Sequence, residues 1–187
     1  MSVRRTVPVA ALLASLLLLS VPAARAQDGA FSEIPLVDHQ GRDVLLHRDL
    51  LHDKTVVMAS FFTSCLSVCP KVTAMMKEVD RRLGARSGRE VHLLSFSVDP
   101  ETDTPERLRA YRARHGIDDD NWIFVTGTPE NVDLALRELG FYSDTAENHT
   151  SLVVVGDEQA GNWRKADGLG KSKVVMRLIR QALADKS

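Results

Sequence analysis

Residues 56–83 read VVMASFFTSCLSVCPKVTAMMKEVDRRL. The run from Val56 to Phe62 is apolar almost throughout, without the alternation of a half-exposed strand, and so describes a strand covered on both faces. Beyond it the period changes. Val68, Val72, Met75, Met76, Val79 and Leu83 fall on one side of a helix. Between strand and helix lie both cysteines of a 187-residue chain, Cys65 and Cys69, with Pro70 directly behind them. A covered strand running into an amphipathic helix, with thiols at the junction, predicts an α/β protein whose chemistry sits at a helix N-terminus.

Working outward, VHLLSFSV at 91–98, WIFV at 122–125 and SLVVV at 151–155 read as further covered strands. The helices between them carry clear punctuation. Residues 104–115 open on Thr104-Pro105-Glu106 and stop at Gly116, and residues 128–139 open on Thr128-Pro129-Glu130 and stop at Gly140. A last helix spans about 171–185, with Val175, Leu178, Ile179 and Ala182 as its apolar stripe. Two hairpins complete the order. One joins 31–36 to 43–46 across Asp38-His39-Gln40-Gly41, and the other joins 151–155 to 162–166 across Gly156–Gly161. Hairpin, β, α, β, α, β, α, β-hairpin, α describes a sandwich around a mixed sheet.

The N-terminus addresses the chain. Arg4 and Arg5 precede an uncharged run that ends at Ala24-Arg25-Ala26, the pattern of a secretory signal peptide. Cleavage after Ala26 is expected, giving a leader at 1–26 and one domain at 27–187; an uncleaved anchor is the alternative, because the run approaches a membrane span in length. Removing residues 1–26 takes away three arginines and no acid, so the formal net charge moves from −1 to −4. Such a surface does not suit nucleic acid or an anionic membrane. The roughly 160 residues that remain suffice for one core without a disulfide staple.

A Cys65–Cys69 disulfide would close too small a loop to restrict the unfolded chain, so structural stapling explains the pair poorly. Chemistry explains it better. Near the positive end of a helix, unpaired amides favour thiolate over thiol, which improves a cysteine both as nucleophile and as metal ligand. Structural zinc wants four ligands, whereas two thiolates, alone or with one imidazole, suit copper in either oxidation state. A peroxidatic reading fits worse, because Phe62 and Met58 stand where thiol peroxidases have a hydroxyl residue and a proline.

The block FFTSCLSVCPKVTAMM at 61–76 resembles the strand-to-helix motif of the Sco/SenC family, copper chaperones with a thioredoxin-like fold that help assemble cytochrome c oxidase. Thr63, Cys65, Cys69 and Pro70 match the family's threonine and its C-x-x-x-C-P. SVDPETDTPERLRAY at 97–111 is similar to its S-V-D-P-x-x-D-T-P segment, and NHTSLVVVGDEQAG at 148–161 resembles the stretch that carries its metal-ligand histidine. The lead-in at 37–62 also fits. The chain departs at Leu66 and Ser67, where the family often has a proline and an acidic residue.

The resemblance implies a thioredoxin-like three-layer sandwich with a mixed central sheet and an N-terminal β-hairpin. It also implies one copper ion per chain, Cu(I) or Cu(II), held by Cys65, Cys69 and His149. Of six histidines, His149 lies in the loop that a thioredoxin-like arrangement aims at the N-terminus of the first helix. His92 reads as a hydrogen-bonded core residue, and His39, His47, His52 and His115 read as surface residues of turns and helix ends. Met75 and Met76 belong to the apolar stripe and pack in the core. Asp99 and Asp103 are candidates for orienting ligands or a partner, and Asp103 is equally explained as a helix cap. The Asn148-His149-Thr150 glycosylation pattern is incidental, since a glycan there would obstruct the site.

Two functions follow. A metallochaperone in the bacterial periplasm would deliver copper to a cuproprotein client, by resemblance the dinuclear copper site of cytochrome c oxidase subunit II. It would meet the membrane only through that client or an uncleaved leader. A thiol-disulfide oxidoreductase would use Cys65 and Cys69 as redox thiols toward exchange partners, reducing client cysteines before copper loading.

Overall fold

The computed structural model describes residues 31–186; the expected leader at 1–26 lies outside them. Among the described residues seven strands form one sheet: β1 Pro35–Asp38, β2 Asp43–Leu45, β3 Thr55–Phe61, β4 Val91–Ser97, β5 Trp122–Thr126, β6 Leu152–Asp157 and β7 Arg164–Asp167. Their order is β2-β1-β5-β4-β3-β6-β7. The central β5-β4-β3 block is parallel and the hairpins β1–β2 and β6–β7 add antiparallel edges, so the sheet is mixed and carries an N-terminal hairpin, as the pattern predicts.

β3 is buried at every position, and its alternation divides the core in two. Val57, Ala59 and Phe61 face one side, where α1 (Cys69–Leu83), Leu108 and Tyr111 of α2 (Pro105–Arg114), and Val175, Ile179 and Ala182 of α4 (Ser172–Asp185) cover them. Val56 and Met58 face the other side, against Val132, Ala135 and Leu136 of α3 (Pro129–Leu139) and Leu46, Leu50 and Leu51. A sheet with helices on both faces, its central strands covered, is the thioredoxin-like sandwich. Among the described residues no helix is long and apolar enough to cross a membrane.

Local chemistry sets the helix ends. Thr104 and Thr128 adopt extended backbone and accept the amides of Arg107 and Asn131, and Pro105 and Pro129 follow as first helical residues. Gly140 closes α3 in the left-handed region at φ 73°, which a side chain would resist. Met75 and Met76 pack in the core on α1, as their spacing predicts.

Two of the histidines expected at the surface are buried, which corrects that reading. His39 is only 3% exposed, because β1 pairs with β5 and its ring is tucked under that strand, accepting the Phe124 amide at Nδ1. His47 is 9% exposed, held in a helical turn, Leu46–Leu51, that the pattern of apolar residues did not separate from β2. His52 is exposed, and His115 and His92 are half-buried.

Candidate functional site

β3 and β6 are antiparallel neighbours, with Ala59 opposite Val153, so the chain leaving β3 and the chain entering β6 meet at one edge of the sheet. Cys65 and Cys69 lie on the first segment and His149 on the second. Topology therefore brings together residues 80 positions apart.

The cysteine loop is anchored at its first residue. The Thr63 amide and hydroxyl both donate to the carboxylate of Asp103, and Ser97 Oγ donates to the same carboxylate at 2.6 Å. Arg114 holds the Thr63 carbonyl from α2 at 2.9 Å. Asp103 is fully buried; burial pushes its pKa up, and the hydrogen bonds from Ser97 and Thr63 only partly offset this. The cap of α2 is Thr104, which leaves the Asp103 side chain to the cysteine loop. Asp99 shapes the same turn through its backbone, its carbonyl accepting from the Asp103 amide at 2.8 Å and its amide donating to Ser97 Oγ at 3.1 Å. Replacing Asp103 by alanine strands two buried donors at Thr63 and one at Ser97. Asp103→Ala is expected to cost about 3 kcal/mol, read as a lowered urea midpoint, because buried donors without acceptors bear their full desolvation penalty.

α1 begins at Cys69, with Pro70 in its first turn and Val68 in the capping position. Valine has no oxygen to offer the first amides. Cys65 Sγ takes that place, accepting the Cys69 amide at 3.3 Å. Both cysteines are free and buried, but their acidities diverge. Burial raises the Cys65 pKa, and hydrogen bonds from the Cys69 thiol and the Cys69, Ser67 and Val68 amides outweigh it, bringing the group down to about 7. Cys69 is pushed up to about 12 by burial, by its hydrogen bond to Cys65 and by the charge there. Near neutral pH Cys65 is thus partly ionised while Cys69 remains a thiol. Because the thiolate is the nucleophile, alkylation of reduced protein by iodoacetamide should rise with pH through a midpoint near 7 at Cys65 and leave Cys69 largely unlabelled. Peptide mapping across pH reads this, and equal labelling of the two would contradict it.

His149 closes the site. Its Nδ1 lies 2.7 Å from the Ala146 carbonyl, which can only accept, so Nδ1 carries the hydrogen and Nε2 offers its lone pair. That lone pair faces Cys69 Sγ at 3.3 Å. Burial lowers the His149 pKa, with the Ala146 carbonyl opposing weakly, so the ring is held in its neutral, metal-ligating form. Phe62 packs edge-on against the imidazole, with ring centroids 5.3 Å apart. Phe62, Cys65, Leu66, Val68 and His149 line one open pocket. Cys65, Cys69 and His149 come together here, while Asp99 and Asp103 sit behind the loop rather than in the pocket. The orienting group on His149 is a backbone carbonyl, which side-chain identity does not reveal.

A family model described as SCO1/SenC matches residues 23–184. The chain belongs to the SCO1/SenC family. Among its relatives, the SCO1 protein homolog of Bacillus subtilis is 42% identical over 73 residues, a stretch that is 38% of this chain and 37% of that protein. The matched stretch therefore spans little more than a third of that curated relative. The solved structure of BsSco, described as having a disulfide switch and as a member of the Sco family of cytochrome c oxidase assembly proteins, is 25% identical with a TM-score of 0.67, covering 84% of this chain and 96% of that one. ScoI of Bradyrhizobium japonicum, solved with copper bound, shares the fold at 21% identity and a TM-score of 0.65, covering 81% of this chain and 98% of that one. Leu66 and Ser67, between the two cysteines, are both exposed at the rim, with Leu66 89% exposed.

Proposed function

We propose that the protein is an exported copper carrier: after loss of residues 1–26 it binds one copper ion through Cys65, Cys69 and His149 and passes it to the dinuclear copper site of cytochrome c oxidase subunit II. The observation that supports this best is the neutral His149 Nε2 lone pair held 3.3 Å from Cys69 Sγ at the helix terminus that also holds Cys65. Two thiolates and an imidazole match a soft to borderline ion, and an open pocket permits transfer by ligand exchange. Copper-bound and oxidase-assembly relatives in the same family point to the same cargo and client. Titration of the reduced, exported protein with Cu(I), together with its intact mass, tests both parts. One Cu(I) per chain and a mass beginning at Gln27 are expected. A chain that takes up no Cu(I) would sink the carrier, and retention of residues 1–26 would make the leader an anchor.

The unequal acidity of the two thiols favours a second reading, a thiol-disulfide reductase. The Cys65 thiolate would attack a client disulfide, forming a mixed disulfide and releasing one client thiolate. Cys69, giving up its proton, would then displace the second client thiolate and leave Cys65–Cys69 oxidised. The two activities use the same sulfurs and differ in their need for His149.

A further inference from the structure

At the far end of the same strand pair stands a second group of ligand-type side chains. Thr55 at the start of β3 lies opposite Asp157 at the end of β6, so the chain just before β3 meets the β6–β7 turn there. His52 comes from the first segment and Glu158 from the second, and His47 joins them from the helical turn Leu46–Leu51. The length of β3, seven residues or roughly 20 Å, separates this cluster from the cysteines.

We propose that His47, His52 and Glu158 form a second metal site, for a borderline divalent cation of the zinc class. Their ligand atoms all lie within 4.8 Å of one another. His47 Nε2 is 2.7 Å from Glu158 Oε1, and His52 Nδ1 is 3.4 Å from Glu158 Oε2. A tetrahedral zinc with ligands at about 2.0–2.1 Å spaces its donors about 3.3 Å apart, so the cluster needs only small adjustments to close on one ion.

Hydrogen-bond bookkeeping adds to the proximity of the three side chains. A neutral imidazole has one N–H to donate. Yet His47 faces a carboxylate from each ring nitrogen, Glu33 at 3.3 Å from Nδ1 and Glu158 at 2.7 Å from Nε2. His52 repeats the pattern, with Glu158 at 3.4 Å from Nδ1 and Asp53 at 3.4 Å from Nε2. Nδ1–H donated to Glu33 turns the His47 Nε2 lone pair onto a carboxylate oxygen, a repulsive contact unless a positive charge lies between them. The Glu158 side chain is only 9% exposed and that of His47 only 11%, so water does little to relieve it. Among the described residues Glu158 has no lysine partner: nearby Lys186 is engaged with Asp157 and the Asp53 carbonyl. A cation bound by His47 Nε2, His52 Nδ1 and Glu158 satisfies all three. Glu33 then stands behind His47 as the carboxylate that fixes its tautomer, the usual partner of a metal-bound histidine.

Imidazole nitrogen and carboxylate oxygen suit zinc-class divalent ions better than Cu(I), so this site does not compete with the thiolates for Cu(I). It would tie the helical turn, the start of β3 and the β6–β7 turn into one unit. Zinc(II) chloride titrated calorimetrically into the full Cys65→Ser/Cys69→Ser chain tests it without the thiolates. Saturable uptake of one zinc per chain and a raised Tm are expected. His52→Ala and Glu158→Gln should each abolish saturable uptake, and Glu33→Gln should weaken it by roughly 10–100-fold. His52 is 53% exposed on its side chain, so its replacement keeps the fold and decides the matter if Glu158→Gln does not fold. Absence of saturable zinc uptake in the thiol-free chain, or unchanged affinity in His52→Ala, would overturn the proposal and leave a proton shared between histidine and carboxylate as the explanation.

Discussion

Cys65→Ser and Cys69→Ser should each abolish the intense thiolate-to-metal absorption that reduced wild-type protein develops with Cu(II). Each should also weaken Cu(I) binding by more than the roughly 10–100-fold that loss of a partner behind a ligand costs. Serine nearly preserves the size of the side chain, so packing around α1 is little disturbed. It removes a polarisable sulfur donor and puts in its place a hydroxyl that stays protonated. The two variants should differ in one respect. Above its pKa of about 7 Cys65 is already mostly a thiolate, whereas Cys69 is pushed up to about 12 and must give up its proton on binding metal. Copper binding by wild-type protein therefore releases a proton chiefly from Cys69, and Cys69→Ser should abolish most of that release. Absorption titrations in weakly buffered solution measure band and proton together. A single variant that kept the wild-type spectrum would rule out the paired-thiolate site.

The fold was legible wherever one physical signal acted alone. β3 and α1 could be read from the switch between a continuous apolar run and a helical period, and α2 and α3 from Thr-Pro-Glu starts, because caps and prolines act locally. Burial of His39 and His47 was not legible, since it depends on β1 crossing to β5 and on the turn Leu46–Leu51 folding under the sheet, both long-range events. Asp103 shows the same limit in the site. Its position before a helix reads as a cap, yet the carboxylate turns inward to Thr63, 40 residues away, and the neighbouring Thr104 takes the capping role. The opposite acidities of two cysteines one turn apart arise from unequal burial and from which sulfur receives the helix amides, and spacing carries neither. The motif placed thiols at a helix terminus; the fold made them unequal.

His149→Ala separates the carrier from the reductase. A neutral imidazole added to two thiolates matters more to Cu(II), which favours nitrogen and higher coordination, than to Cu(I), which two thiolates can hold unaided. His149 Nε2 faces the sulfur of Cys69, and its removal leaves the amide that Cys65 accepts untouched. His149→Ala should therefore lose Cu(II) affinity by about 100-fold or more, beyond the range for groups behind a ligand, while retaining appreciable Cu(I) binding. Thiol-disulfide exchange depends on the sulfurs, their thiolate fraction and their exposure, so the purified variant should still cycle its Cys65–Cys69 disulfide. If Cu(II) is the form delivered, cells carrying only His149→Ala should fail to assemble active oxidase even though that exchange persists. Both copper affinities, the exchange rate and oxidase activity, measured on the one variant, set the two roles against each other. Full oxidase assembly with Cu(II) binding gone would exclude the Cu(II) carrier, and the working function would then rest on the two sulfurs, either as a reductase or as a carrier of Cu(I).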